Sequence, residues 1–317
     1  MLHATWKVGI DSGQRGTSAA MANMKANRVC GPAPLQSPSL AFRGAAEIQV
    51  IEVGDRLSFF ALCLLGCSVV GWPVSSQELR PDLRPGIIGN DDRVRVDKQG
   101  PPWDAIGQVN ISGYRTRGMC TGTLVAPNLV LTAAHCVMDD WKKVPHPLHH
   151  ILFLAGVRGS KHKGHATAKC LRFIEPDPHL RIAPPIKAVM TDAVVIELSE
   201  KLAVKPAALA EGVELRVGLD LVHVAYSADR RYAVSAHFGC RPSFISDTGL
   251  LCTDCDTHPA SSGGPIFVYD YDKLKVAAIL IGGFDRGGAN FGLSISKWLS
   301  LVKHSSCSKE PAKQNFR

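Results

Sequence analysis

The sequence is poor in aromatic residues, at 7%, and modest in charge, with 20% Asp, Glu, Lys and Arg. No RNA-binding aromatic motif and no helix-turn-helix pattern is present, and 36 Lys and Arg against 28 Asp and Glu is a small excess for 317 residues. That balance supports weak attraction to anionic surfaces but not a nucleic-acid-binding function. No repeat of fixed period is visible, which excludes solenoids and propeller arrays. No apolar run reaches the ~20 residues that a spanning helix needs. With 45% hydrophobic residues, 29 Gly and 20 Pro, the composition is that of a globular protein and excludes wholesale disorder or a collagen-like repeat. The length suits about two domains, or one large one.

The longest apolar run is Leu57–Trp72 (LSFFALCLLGCSVVGW), preceded by Arg56 and followed by Pro73 and the small residues Val74-Ser75-Ser76. A basic residue, an apolar stretch and a small-residue cleavage site are the grammar of a secretory signal, so residues 56–76 are read as a signal peptide and the protein as secreted or periplasmic. An uncleaved anchor is the alternative, as is a lipoprotein, because Leu64-Leu65-Gly66-Cys67 resembles a bacterial lipobox. Membrane contact is expected only through those routes. Residues 1–55 are patternless and are expected to form no packed structure; translation starting after Met1 would account for them. Residues 77–86 (QELRPDLRPG) read as a polar tail or pro-segment.

Beyond Gly86 come short apolar runs punctuated by Gly, Pro, Asn and Asp: 105–111, 122–131, 150–154, 193–198, 219–225, 264–269 and 275–281. Their length and their Val and Ile content favour strands over helices. Ser294–Ser305 (SISKWLSLVKHS) carries apolar residues at helical spacing and is the helix candidate. The expectation is a mainly β body with a terminal helix.

Three segments carry chemistry. In Met119–Val137 (MCTGTLVAPNLVLTAAHCV), two strands flank an Ala126-Pro127-Asn128 turn and the second delivers His135 beside Cys136. Cys120 and Cys136, 16 residues apart and one on each strand, would bridge the strand end that presents His135. A loop of that size is worth about 3 kcal/mol in the chain-entropy model. In Cys255–Phe267 (CDTHPASSGGPIF), Ser262 precedes two glycines that allow a tight backbone and leave room for a carbonyl above the hydroxyl. A serine hydroxyl needs a base, and His135 is the candidate. In Thr191–Leu198 (TDAVVIEL), Asp192 opens an apolar strand, where a buried carboxylate needs a partner and could orient an imidazole.

Together these segments resemble the chymotrypsin-like serine proteases, whose base, orienting acid and nucleophile follow one another along the chain in the order His, Asp, Ser, as His135, Asp192 and Ser262 do here. The spacings of 57 and 70 residues, with Pro102–Gly107 and Cys255-Asp256-Thr257, are similar to the bacterial branch that includes glutamyl endopeptidases. The resemblance covers about residues 87–300. It implies an all-β fold of two packed six-stranded antiparallel barrels with a C-terminal helix. Residues 87–205 would carry His135 and Asp192, and residues 206–317 would carry Ser262. It further implies a monomeric endopeptidase acting on protein or peptide substrates without cofactor or metal, with the Ala260 and Ser262 amides forming the oxyanion hole.

Departures from the family pattern bear on activity and specificity. Ala260 stands where the family has Gly, so a Cβ opposes the required turn. Ser261 replaces the Asp that pairs with the freed N-terminus in the trypsin branch, so processing near Gly86-Ile87-Ile88-Gly89 would have to act differently. The substrate pocket is assigned to Asp256, Thr257, Leu280 and Gly282. Asp256 favours a basic residue before the scissile bond, Thr257 suits an acidic one, and Leu280 replaces the His of the glutamyl branch. The expectation leans to basic residues, since a pocket carboxylate attracts a cation.

Cys240 and Cys255 are the preferred second disulfide, ahead of Cys240–Cys252; the pairing of Cys170, Cys252 and Cys307 stays open. His146, His149, His150, His162 and His165 have no recognised ligand spacing and read as exposed loop residues rather than a metal site. They lie among Lys142, Lys143, Lys161 and Lys163, a basic neighbourhood that suits acidic partners.

Overall fold

The computed structural model describes residues 85–111, 118–139, 143–175, 185–283, 288–303 and 307. The expected signal peptide, lipobox, upstream segment and most of the 77–86 tail lie outside the described residues.

Short, largely buried apolar runs build fourteen strands among the described residues. Six of them close a barrel in the order β2-β3-β4-β7-β6-β5. These are β2 Ile106–Ile111, β3 Gly118–Ala126, β4 Leu129–Thr132, β5 Ile151–Ala155, β6 Gly164–Phe173 and β7 Val194–Leu198. The β3–β4 hairpin turns at Pro127-Asn128, and β4 pairs in turn with β7 through Thr132 and Val194. Closure satisfies every edge, so the barrel interior fills with side chains such as Ile106, Leu124, Leu131, Phe153 and Ile196, all essentially inaccessible.

The other eight strands form one sheet, β1-β9-β8-β12-β13-β14-β11-β10. They are β1 Val94–Arg95, β8 Leu221–Ala225, β9 Ser235–Cys240, β10 Pro242–Ile245, β11 Leu250–Thr253, β12 Pro265–Asp270, β13 Lys273–Gly283 and β14 Asn290–Ser294. This corrects the expectation of a second closed six-stranded barrel. The short β1 extends one edge by pairing Val94 with Ala236, β10 forms the other edge, and β1 and β10 do not pair with each other.

Two helices are present among the described residues. The short α1 Pro185–Met190 leads into β7, and α2 Ile295–Lys303 follows β14. In α2 the apolar residues Ile295, Trp298 and Leu301 share the buried face, and the Trp298 indole N–H donates to the Leu293 carbonyl at 3.0 Å. This is the helix expected over 294–305. Neither is long or apolar enough to cross a membrane.

The ends of the described body are exchanged. Residues 86–95, from the N-terminal side of the barrel, attach to the eight-stranded sheet. The C-terminal α2 packs against β7 of the barrel, and Arg172 of β6 donates to the Leu301 carbonyl at 3.3 Å. Cys170 of β6 is bridged to Cys307, beyond α2. The bridges Cys120–Cys136 and Cys240–Cys255 are both present. Cys252 is disulfide-bonded too, its partner lying outside the described residues.

Candidate active site

His135 sits in a single 3₁₀ turn, Ala134–Val137, at the end of β4. The Cys120–Cys136 bridge ties this turn back to β3. Asp192 follows α1, where Thr191 N–H and Oγ1 both bond the Lys187 carbonyl, and it points inward just ahead of β7. Its carboxylate is nearly buried and grips His135 twice. Oδ1 accepts from the His135 backbone N–H at 2.9 Å and Oδ2 from ring Nδ1–H at 2.7 Å. A carboxylate can only accept here, so the proton resides on Nδ1 and Nε2 becomes the basic nitrogen of the neutral ring.

Ser262 lies on the tight turn 258–264 that leads into β12. Ser261 N–H donates to His258 O and Gly264 N–H to Ser261 O, both at 2.9 Å, while Gly263 N–H donates to Leu280 O at 2.7 Å. The amides of Ala260 and Ser262 donate to no acceptor among the described residues, which leaves two donors of one turn without a protein partner. Ala260 takes φ +79°, in the left-handed region that a Cβ disfavours. The backbone therefore adopts the glycine-like conformation despite the alanine.

The turn is welded to the barrel by Thr121 and Thr132, which sequence reasoning passed over although Thr121 adjoins Cys120. Thr121 N–H donates to the Ser262 carbonyl at 2.9 Å, and its hydroxyl accepts from Tyr226 N–H at 3.0 Å and lies 3.2 Å from Ala260 O. Thr132 Oγ1 donates to Thr121 O at 2.7 Å. Gly263, at φ +79°, passes so close that a Cβ would collide with Thr132 Oγ1 and Thr121 O. The Cys136 disulfide sulfur lies 3.8 Å from the Ser262 carbonyl, so the serine and histidine turns are neighbours. The Ser262 side chain, half-buried, makes no hydrogen bond among the described residues. The structure thus joins His135 to Asp192 directly and brings Ser262 alongside through its backbone.

The pocket assignment needs correction. Asp256 is fully inaccessible, with Oδ1 accepting from Ile88 N–H and Oδ2 from Asp92 N–H, each at 2.8 Å. Its own N–H donates to His237 Nδ1 at 2.8 Å. Burial pushes its carboxyl above the usual range, against the opposing pull of the two amides. Thr257 N–H holds the Gly86 carbonyl at 2.9 Å, and Asn290 Nδ2 donates to the same oxygen at 2.8 Å. Asp256 and Thr257 therefore fasten a strap, residues 86–92, rather than line an open pocket, and the charge argument for basic specificity loses its premise. Gly86, at φ +80° and packed on Thr257, has no room for a side chain. The Leu280 side chain is buried. Gly282 faces open space and is the one assigned residue free to border substrate.

A second anchor holds the strap's far end. Arg93, largely buried, pairs with Asp91 at 2.8 Å and with Asp229 at 2.7 Å, and Arg230 Nη1 donates to the Arg93 carbonyl at 2.7 Å. Burial raises the Asp229 carboxyl, but the hydrogen bonds from Arg93 and Ser227 outweigh it and hold the group at about 2. Beneath the serine turn lies His223, buried on β8, with Nδ1 donating to Pro265 O at 3.3 Å. Burial lowers its pKa to about 4, so it is neutral at pH 7. His149, His150, His162 and His165 are exposed, as expected for loop histidines, and His162 and His165 contact each other at 3.1 Å.

The family model for the trypsin-like peptidase domain matches residues 120–279, half of the chain, spanning all three segments described above. The chain belongs to this family and is a serine-type peptidase. Among solved structures, a glutamyl endopeptidase in complex with MPD is similar over 69% of this chain and 100% of that one, at 20% identity and a TM-score of 0.56. The VesB protease of Vibrio cholerae is similar over 69% of this chain and 67% of that one, at 16% identity and a TM-score of 0.51. At those identities the likeness establishes the shared chymotrypsin-like fold.

Proposed function

We propose that the protein is a secreted endopeptidase that cleaves peptide bonds through a His135–Asp192–Ser262 triad and an acyl-enzyme. The observation that carries this reading is the double hydrogen bond from Asp192 to His135. It fixes the tautomer in which Nε2 can take a proton and steadies the imidazolium that results. Nε2 removes the Ser262 proton as the hydroxyl attacks the substrate carbonyl, then returns it to the leaving amine. Water reverses the sequence to release the acyl group. The unpaired Ala260 and Ser262 amides receive the developing oxyanion, a contribution of about 3–4 kcal/mol per donor in enzymes of this kind. Three disulfides among the described residues support an oxidising compartment.

The test is covalent labelling of the purified protein by a fluorophosphonate, with hydrolysis of a casein substrate measured in parallel. Labelling of the wild type, abolished in Ser262→Ala and at least about 10³-fold slower in His135→Ala, is the expected result. A disulfide-bonded, folded wild type that neither labels nor hydrolyses would overturn the reading. It would favour a protease-fold binding protein without turnover, a reading supported by the strained Ala260 and by a serine hydroxyl without a partner among the described residues.

A further inference from the structure

Bordered by β2, β3 and the loop after β5 lies a cavity of about 230 Å³ walled by Gln108, Asn110, Met119, Lys161, Arg231 and Tyr232. It is smaller than the ~300–1,000 Å³ of a small-molecule site, and so suits one or two side chains of a longer ligand. Its position follows from strand register. Gln108 is paired with Thr121, the residue whose N–H holds the Ser262 carbonyl, and Met119 is two residues from Thr121 on the same face of β3. The opposite wall belongs to the loop after β8, whose Ala228 N–H donates to Pro259 O, next to Ala260. With strands about 4.8 Å apart and a rise of about 3.3 Å per residue, the cavity lies roughly 10–15 Å from Ser262. Three or four residues of extended peptide span that distance.

The walls are held before any ligand arrives. Gln108 Nε2 donates to Arg231 O at 2.5 Å, and Gly159 N–H donates to Tyr232 O at 2.9 Å, so the loops on either side are pinned to the barrel and to each other. Neither Lys161 nor Arg231 forms an ion pair with a carboxylate among the described residues, and both are exposed. The surrounding sequence adds to their field. Residues 105–174 contain nine Lys and Arg against only Asp139 and Asp140, a formal +7 in a chain whose total is +8. Over the whole barrel portion, residues 87–205, there are 16 Lys and Arg against 11 Asp and Glu, whereas residues 206–317 have 12 against 11, so the barrel side is the more basic.

We propose that this groove binds an acidic segment of the protein substrate on the leaving-group side of the scissile bond. The side follows from the chemistry of the proposed function, on which this inference rests. Once the acyl carbon is on Ser262, the departing amine faces His135 and the neighbouring Cys120–Cys136 bridge. Met119, adjacent to Cys120, opens the groove on that side, whereas Gly282 and the Leu280 strand lie on the other. Carboxylates two to four residues after the cleaved bond would reach Lys161 and Arg231, with the Gln108 and Asn110 amides as additional polar wall. Exposed pairs are individually weak and screened by salt, so several acids acting together are required.

The experiment compares wild type with the double charge reversal Lys161→Glu, Arg231→Glu. Two fluorescent peptides are used, one with four Glu residues and one with Gln in their place. Binding is read by anisotropy on the Ser262→Ala background, so the result does not depend on turnover; thermal melting confirms that the reversal variant folds. In the active protein, KM and kcat are measured for substrates bearing Glu or Gln at the second to fourth positions after the scissile bond. The expected result is about 10-fold tighter binding of the Glu peptide by wild type, lost in the reversal variant and at 0.5 M salt. Alongside it, KM for the Glu substrate should rise by a similar factor in the variant, with kcat and the Gln substrate unchanged. Equal binding of both peptides by wild type, or a preference that survives charge reversal, would overturn the proposal. So would binding of duplex DNA or phosphatidylserine vesicles as tight as that of the Glu peptide, which would mark a generic polyanion surface. Failure of hydrolysis with retained acidic-peptide preference would instead count against the peptidase mechanism and leave the groove standing.

Discussion

The barrel and the open sheet contribute to the proposed site under different mechanical terms. The barrel closes on its own hydrogen bonds, and its two site residues are already engaged with each other, His135 accepting orientation from Asp192 through two short contacts. The sheet has free edges, takes its β1 edge from the far side of the sequence, and delivers Ser262 on a turn that holds an alanine in the left-handed region. One half is assembled by its own topology; the other depends on a strap and stores strain beside the serine. Perturbing the strap or the turn should therefore affect the sheet selectively.

The sharpest way to break that contrast is Asp256→Ala. It removes the acceptor of the part-buried Ile88 and Asp92 amides, at about 1 kcal/mol each, so a loss of about 2 kcal/mol in urea unfolding is expected. Hydrogen exchange should accelerate in β8, β9 and β12 while β3 and β4 keep their protection. Equal acceleration in both halves would show that the strap serves the whole body rather than the sheet.

Acid should discriminate next. His223 is held neutral to about 4, below the 6.5 of an exposed imidazole, so between those values the unfolded chain binds a proton that the folded one refuses. The stability tied to this group is complete above pH 6.5 and is lost as pH falls toward 4, a change of roughly 3 kcal/mol. Chemical denaturation between pH 4 and 7 should show this slope, and His223→Leu should flatten it. An unchanged slope in the variant would place the acid sensitivity elsewhere.

The smallest expected effect is relief. Ala260→Gly removes a Cβ from a positive-φ position and should stabilise the fold by about 1 kcal/mol, raising the melting temperature by a few degrees. If the Ala260 amide receives the oxyanion, kcat should rise several-fold with little change in KM. A gain in melting temperature alone would separate backbone strain from catalysis.

Much of this could be read along the chain because it is local. The strands at 105–111, 193–198 and 264–269 announce themselves as short Val- and Ile-rich runs, and the helix over 294–305 by its spacing. The bridges at Cys120–Cys136 and Cys240–Cys255 join residues close in sequence. Strand β6 was less visible because its exposed face carries His165, Thr167 and Lys169 between the buried Ala166, Ala168 and Cys170, which breaks the apolar run. Strand β14 is short and interrupted by Gly292. What could not be read was which distant segment takes up a polar group. Asp256 has the position of a specificity carboxylate, yet its oxygens are satisfied by amides 164 and 168 residues away. The same holds for Thr121, whose contact with the Ser262 carbonyl exists only once the two halves meet.

The crossing of the two ends has a practical corollary for anyone who would divide this polypeptide. A cut in the connection between β7 and β8 would separate Asp256 from the amides it serves. It would also leave β6 and β7 uncovered where Leu301 and Cys307 now rest. Each fragment would carry away the latch of the other, so neither should fold by itself, whereas the mixed pair should recover a native-like body when combined under oxidising conditions.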